Sequence, residues 1–360
     1  MARVLYVPNE VGSWRQLAQR RALRELAASG RIEAGEVFSL LHRVRGGESP
    51  SAAFAALASV VREFRPTIVL MQHLGGTGLD RDAMRQLRSL ADFVLVYHEG
   101  DPFRWPLHAL PREARAIGRV ADVVFVSGRS TFPKNFTRIG VRDVRYLEWG
   151  FDPDRFPDEG APASAGRDHD VVVIAHRNTP RLRGLPDWRD RIAFVDALQD
   201  ALGDQCAIYG RGWSGPGALG PLPFDHQQRA IRSAWISANW DHFASEHSYH
   251  SDRLAISLAA GSVHATTLHP GFDEIFSDPV REAMVLATSP SQLVRSIVDY
   301  LERTGPQDRL RAMAVGRSHA WTHLRFDDQF VHMLNAAGAS IDVASAARIW
   351  SVRTPVDVHV

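Results

Sequence analysis

The stretch HSYHSDRLAISLAAG, from His247 to Gly261, places polar residues directly before an apolar run that a glycine stops. Ser251 or His250 can cap a helix that opens at Asp252, whose carboxylate suits the positive end of the dipole, and Gly261 can close it. Arg253 stands in the same first turn, where a cation is disfavoured by roughly a few tenths of a kcal/mol or more. A phosphate bound there would remove the conflict, with the helix end and the guanidinium acting on one anion. A salt bridge from Arg253 to Asp273 or Glu274 is the structural alternative.

Further segments have chemistry of their own. YGRGW offers Tyr209, Gly210, Arg211 and Trp213: a donor fork for phosphate and aromatic faces for a base or sugar, or else a tight turn with a structural tryptophan. HRNTPRLRG, His176 to Gly184, holds three arginines and suits an anion site or a solvated loop. The glycines at 75, 76 and 78 read as a turn before a helix rather than a phosphate cradle, and Asp152 and Asp154 of DPD read as a solvated turn rather than a metal site. His247 and His250 are three apart but lack a partner at ligand spacing, so no metal is expected.

These residues need elements to position them. Short apolar runs alternate with helix-length amphipathic segments: RVLYV, EVFSL, TIVLMQ, FVLVYH, DVVFVS and VRYLE in residues 1–150, then DVVVIA, CAIYG, WISAN, VHATTL and MVLAT. Such alternation builds an α/β protein with parallel sheets covered on both faces. The proline- and acid-rich segment 151–169 reads as a linker. The expected organisation is an amino-terminal domain over 1–150, that linker, a carboxyl-terminal domain over 170–325, and a helix and tail over 326–360 that could pack back on the first domain. Open parallel sheets bind ligands beyond the carboxyl ends of their strands. In the first domain those positions are Glu10 and Trp14 after the first strand, His73 after the third, and His98, Glu99 and Asp101 after the fourth.

Composition narrows the classes. The 360 residues carry 42 basic and 41 acidic side chains, which gives no electrostatic case for nucleic acid or an anionic membrane. Lys134 is the single lysine, so a Schiff-base or pyridoxal phosphate mechanism would have to use it, and none is expected. Cys206 is the single cysteine and reads as a small buried hydrophobe. The apolar run in MARVLYVPNE is too short for a secretion signal and no window approaches about eighteen apolar residues, so a cytoplasmic location without stable membrane association is expected.

Four segments in order carry a resemblance: ADVVFVSGRSTFPKNFTRIGVRDVRYLEWGFDPDRFP, HDVVVIAHRN, AIYGRGW and YHSDRLAISLAAGSVHATTLHPGFDEIF. Over about Ala91 to Phe276 the chain resembles GT-B fold glycosyltransferases, in particular the spore-maturation CgeB-like group of family-one-type transferases. The resemblance implies two open Rossmann-like parallel-sheet domains facing across a cleft. It further implies a nucleotide-sugar donor (UDP-, GDP- or ADP-sugar) on the carboxyl-terminal domain, an acceptor on the amino-terminal one, and no essential metal. Carried over by position, Arg253 would face the diphosphate with His250 and Ser251 beside it. Arg177 and Asn178 would line the nucleotide side with the Tyr209 to Trp213 loop, and Phe272, Asp273 and Glu274 would approach sugar and phosphate. The chain departs from retaining relatives, which carry two glutamates where it has Ser248 and Ile256; an apolar side chain cannot accept from ribose hydroxyls.

Direct, inverting displacement needs one base for the acceptor hydroxyl and positive groups for the leaving diphosphate. Asp101 and His98 rank ahead of Glu10 as that base, with Trp14, His73 and Glu99 as acceptor-binding residues. The expected acceptor is a small molecule such as a nucleoside or aglycone. Two other readings stand: a degenerate, non-catalytic nucleotide-binding protein, which Ile256 favours, and a nucleotide-sugar epimerase. The oligomeric state is open.

Overall fold

A computed structural model describes residues 1–103, 110–160, 166–178 and 185–342. Along the chain run β1 (Arg3–Val7), α1 (Leu17–Ala28), β2 (Ala34–Val37), α2 (Leu40–Arg45), α3 (Pro50–Phe64), β3 (Ile68–Gln72), α4 (Arg81–Arg88), β4 (Val94–Gly100), α5 (Arg112–Gly118), β5 (Val123–Val126), α6 (Thr131–Thr137) and β6 (Val144–Tyr146). There follow β7 (His169–Ile174), α7 (Trp188–Leu202), β8 (Cys206–Tyr209), β9 (Ala218–Gly220), α8 (Gln227–Arg232), β10 (Ala234–Ala238), α9 (Asp252–Ala259), β11 (Val263–Thr267), α10 (Phe272–Ile275), α11 (Asp278–Glu282) and β12 (Val285–Ala287). Three helices close the described chain: α12 (Pro290–Arg303), α13 (Pro306–His323) and α14 (Phe326–Ala336).

Contacts divide the chain into two units, Met1–Glu148 with Phe326–Val360, and Trp149–Arg325. The first holds a six-stranded sheet in the order β2-β1-β3-β4-β5-β6, and every pairing in it is parallel. Its central strands β3 and β5 are buried at every position, because helices cover both faces of a parallel sheet. α14 belongs to this unit. Phe330 packs edge-on against Tyr6 at 5.0 Å, and Asp327 takes a 2.9 Å ion pair from Arg21 of α1. Chain order reverses between β1 and β3, and there the Gln72 side-chain oxygen accepts from the Tyr6 hydroxyl (2.9 Å) and the Asn9 amide (3.2 Å).

The second unit repeats the plan with the order β12-β11-β10-β7-β8-β9, again all parallel. Its reversal lies between β7 and β10. Phe151 and Trp321 meet at 5.0 Å under the same apolar layer as Leu254 and Leu258 of α9, and Cys206 is buried in the opposite layer.

Two elements differ from the sequence expectation. EVFSL does not run as one strand: β2 stops at Val37 and α2 begins at Leu40, because β2 is an edge strand with exposed residues and holds its short pairing only to β1. β9 is a three-residue edge strand, too short to show a period.

Candidate functional site

In the second unit a cavity of ≈190 Å³ opens beyond the carboxyl ends of β7, β8 and β10, at the point where the strand order reverses. The backbone here is tightly laced. Ala175 N–H donates to the Tyr209 carbonyl and Arg177 N–H to the Arg211 carbonyl, both at 2.9 Å. Gly210 has φ +144°, and a Cβ on it would stand 1.9 Å from the Ala175 carbonyl oxygen, so only glycine lets the two strand ends close.

The start of α9 forms one wall. Elsewhere Ser49, Asp80 and Ser289 cap their helices with side-chain oxygens. Ser251 occupies the equivalent place before α9 but makes no cap; its hydroxyl lies 3.4 Å from Asn239 Nδ2 and bonds Asp241. Leu254 N–H donates to the Ser251 carbonyl at 3.1 Å, and the N–H groups of Asp252 and Arg253 have no side-chain cap. Arg253 lines the cavity, its Nε donating to the Ile174 carbonyl at the end of β7 (3.2 Å). Glu274, the alternative partner considered for it, faces His247 at 3.4 Å instead.

A second guanidinium, absent from the sequence candidates, reinforces this end. Arg191 of α7 is buried and donates from Nε to the Trp240 carbonyl, just past β10, at 2.7 Å. Burial, and next the Arg253 charge, push it down to about 9. After burial, the same two guanidiniums help push His242 down to about 3. Beneath them Asp241 and His269 form a fully buried pair at 3.1 Å. Burial alone would raise the Asp241 carboxyl, but His269, the Ser251 hydroxyl and Arg191 hold it well below the usual carboxylate range. Two like charges held beside a helix amino terminus are mutually repulsive, and an anion relieves that repulsion.

Several candidates sit elsewhere. Tyr209 and Gly210 line the cavity, whereas Arg177, Asn178, Arg211 and Trp213 do not. Trp213 Nε1 donates to the Ala175 carbonyl at 2.6 Å and its ring packs on the core, while Arg177 pairs with Asp196 at 2.9 Å and lies 5.5 Å from the centroid of that indole. That cluster braces the loop. His250 is buried against Phe276, with its ring pushed down to about 4 by burial. Phe272 is a core side chain, and Asp273 and Glu274 are exposed on the short α10. Ile256 lines the cavity with Phe224, Leu222 and Ile231, giving it an apolar wall. Phe224 and Leu222 were missed because they follow the unrecognised β9. Asp152 accepts from Asp154 N–H (3.0 Å), a turn rather than a metal site. Among the described residues no group of three or more His, Cys, Asp and Glu is placed to hold a metal ion, and no helix is long and apolar enough to cross a membrane. Arg181 and Arg183 of HRNTPRLRG lie outside the described residues.

In the first unit the positions after β1, β3 and β4 have a different character. Glu10 is fully buried and accepts from Arg20 (2.6 and 2.7 Å), Arg15 (3.2 Å), Ser39 (2.8 Å) and the Gln16 amide (2.9 Å). Burial would raise its carboxyl, but Arg20, the Gln16 amide and Ser39 outweigh that and keep it lowered. A carboxylate so fully bonded is a structural anchor, not a base. His98 is buried and pushed down to about 4 by desolvation, which makes it a weak base. Asp101 accepts from the Ser127 hydroxyl at 2.7 Å. His73 Nδ1 lies 2.8 Å from Glu99 Oε1. Trp14 is tied to Val11 by a 3.0 Å backbone bond. The glycine loop cradles a side chain: Gly76 and Gly78 N–H both donate to Glu113 of α5, at 3.2 and 3.3 Å.

Residues 189–335 match the model of a family described as glycosyl transferase-like. No curated protein sequence matches the chain. Among solved structures, HepE of Anabaena in complex with UDP and glucose superposes with a TM-score of 0.59 at 14% identity, covering 95% of this chain and 100% of that one. Sucrose-phosphate synthase of Thermosynechococcus elongatus gives 0.61 at 13% identity over 92% and 97% of the two chains. A glycosyltransferase of Rickettsia africae gives 0.60 at 10% identity over 93% and 97%. Together with the two open parallel sheets, these likenesses give the chain the GT-B fold.

Proposed function

We propose that this chain is a GT-B glycosyltransferase that moves a sugar from a nucleotide-sugar donor to a hydroxyl of a small-molecule acceptor, by inverting displacement and without a metal. The observation that carries the reading is the cationic end of the second unit's cavity: a helix start without a side-chain cap, Arg253 in the wall with its Nε on the last carbonyl of β7, and the buried Arg191 behind it with its Nε on the Trp240 carbonyl. Nε on backbone fixes the direction of each guanidinium, and Arg253 Nη1, 3.8 Å from the Asp252 carboxylate and beyond hydrogen-bond distance of it, can turn to a phosphate. Such a site stabilises the charge that grows on a departing diphosphate with the protein's own groups, the work a divalent ion does elsewhere. The apolar wall of Phe224, Leu222 and Ile256 suits the nucleoside. HepE, which shares the fold, has been solved with UDP-glucose, and a uridine nucleotide is accordingly the first donor to test.

Calorimetry with UDP, GDP and ADP tests the reading, followed by hydrolysis of the corresponding nucleotide sugars. One nucleotide should bind, and Arg253→Ala should weaken it; binding of none overturns the proposal. A second reading, a protein that binds the nucleotide without chemistry, is favoured by Ile256 in the cavity wall. Nucleotide binding with no turnover of any donor would select it.

A further inference from the structure

The strand after which the first unit's order reverses, β3, delivers His73, and β4 beside it delivers Glu99. Glu99 is completely shielded on its side chain, whereas the His73 side chain is 40% exposed. The buried carboxylate takes the Tyr97 hydroxyl on Oε2 and His73 Nδ1 on Oε1 (2.8 Å). A carboxylate can only accept, so Nδ1 bears the proton and Nε2 of the neutral ring presents its lone pair. The ring edge rests in the space that Gly75 leaves open, since a Cβ there would stand 2.6 Å from Nε2. Glu113 fixes the loop beyond through Gly76 and Gly78, and Arg45 approaches the Gly75 carbonyl at 3.4 Å. Glu10, His98 and Asp101, the three base candidates of the sequence, are respectively anchored, desolvated and bonded to Ser127.

We propose that His73 is the general base of the transfer, with Glu99 as its positioning residue and Tyr97 and Gly75 holding the pair in place. The assignment rests on the glycosyltransferase reading above. In the step, the acceptor hydroxyl gives its proton to His73 Nε2 while its oxygen forms the bond to the anomeric carbon. The bond from that carbon to the diphosphate oxygen breaks, and its electron pair leaves with the nucleoside diphosphate. The charge that arises on the imidazole is met by Glu99. Burial works against that charge, but Glu99, then Glu113 and Asp101, outweigh it and hold the ring above its ordinary value.

The test uses full-length protein with UDP-glucose, water as the acceptor, and UDP affinity measured in parallel, GDP or ADP pairs replacing these if they are the nucleotides bound. His73→Gln should lower kcat by about 10²-fold or more, the usual share of a general base, with UDP affinity unchanged. Wild-type kcat should rise with pH as the imidazole deprotonates above its ordinary value near 6.5. Glu99→Gln should move that limb to lower pH, and added imidazole should restore part of the turnover of His73→Ala. Gly75→Ala keeps His73 and Glu99 but crowds Nε2, and should lower kcat alone. Retention of turnover by His73→Gln within about threefold, an unmoved pH limb in Glu99→Gln, or UDP bound but UDP-glucose never hydrolysed by wild type overturns the base assignment. Absence of any nucleotide binding overturns the donor reading and the base with it.

Discussion

The two sheets share a topology, with one reversal of strand order each, yet their carboxyl ends differ in charge. The second unit gathers Arg253, Arg191 and an uncapped helix start; the first gathers Glu99, Asp101 and Glu113 around one histidine. The fold puts loops at the reversal in both cases. Which chemistry those ends suit is decided by the side chains the loops carry: a cationic end suits a phosphate, and a carboxylate-flanked imidazole suits a proton.

Acid should separate the units most strongly. His250, His264 and His319 of the second unit are pushed down to about 4, and His242 to about 3, burial being the largest cause in each. A lowered folded pKa gives stability that is complete above the unfolded value near 6.5 and is lost as pH falls from there toward 4, since only the unfolded chain takes up the proton. In the first unit His98 behaves likewise, but His73 has the opposite sign: its raised value makes its contribution complete below 6.5 and lost above. Hydrogen exchange between pH 6.5 and 4 should therefore show the second unit opening first; simultaneous loss would break the contrast.

Next in size is Asp241→Ala. Asp241 is the buried carboxylate that bonds His269 and offsets the charge of the buried Arg191, and removing the partner of a buried charge costs about 3–5 kcal/mol. Glu10→Ala should cost less, because Arg15 and Arg20 are 32% and 25% exposed and can turn to water. Denaturant melts of the two variants measure the difference, and an equal loss would show that the anchor in the first unit is as closed as the pair in the second.

Ligand binding sharpens the same comparison at a smaller scale. Arg253→Ala should weaken UDP by about 1.5–3 kcal/mol, roughly ten- to a hundred-fold in Kd, the range of a hydrogen bond to a charged group. His73→Gln should leave that Kd unchanged. Smallest is the effect of the ribose hydroxyl: with Ile256 in the wall, UDP and 2′-deoxy-UDP should bind within about threefold, less than one made hydrogen bond is worth. A tenfold preference for UDP would reveal an acceptor for the 2′ hydroxyl.

Both sheets were legible because parallel strands buried on two faces read as unbroken apolar runs, as in IVLMQ and VVFV. The edges were not: β9 is too short for any period, and β2 breaks where α2 begins. Arg253 stood out because its charge opposes the helix dipole. Arg191 did not, since in WRDRIAF it looks like any arginine on an amphipathic helix, and only packing of α7 brings it to the start of α9. Trp213 and Arg177 were read by type as ligand groups, but their directions are settled by a backbone carbonyl and by Asp196. Glu10 looked available until Arg20 was seen to bind both its oxygens. In each case the local text gave the kind of side chain, and a partner distant in sequence set its direction.

The bond from Arg253 Nε to the last carbonyl of β7 makes that side chain two-ended. One end registers the sheet and the other the cavity, so a shift of β7 along its own axis would move the guanidinium with it. A lysine, with a single ammonium on a flexible stem, would have to choose between carbonyl and anion. In the proposed donor site Arg253 would therefore act as a ruler between strand and ligand, and Arg253→Lys would preserve the charge while losing the measurement.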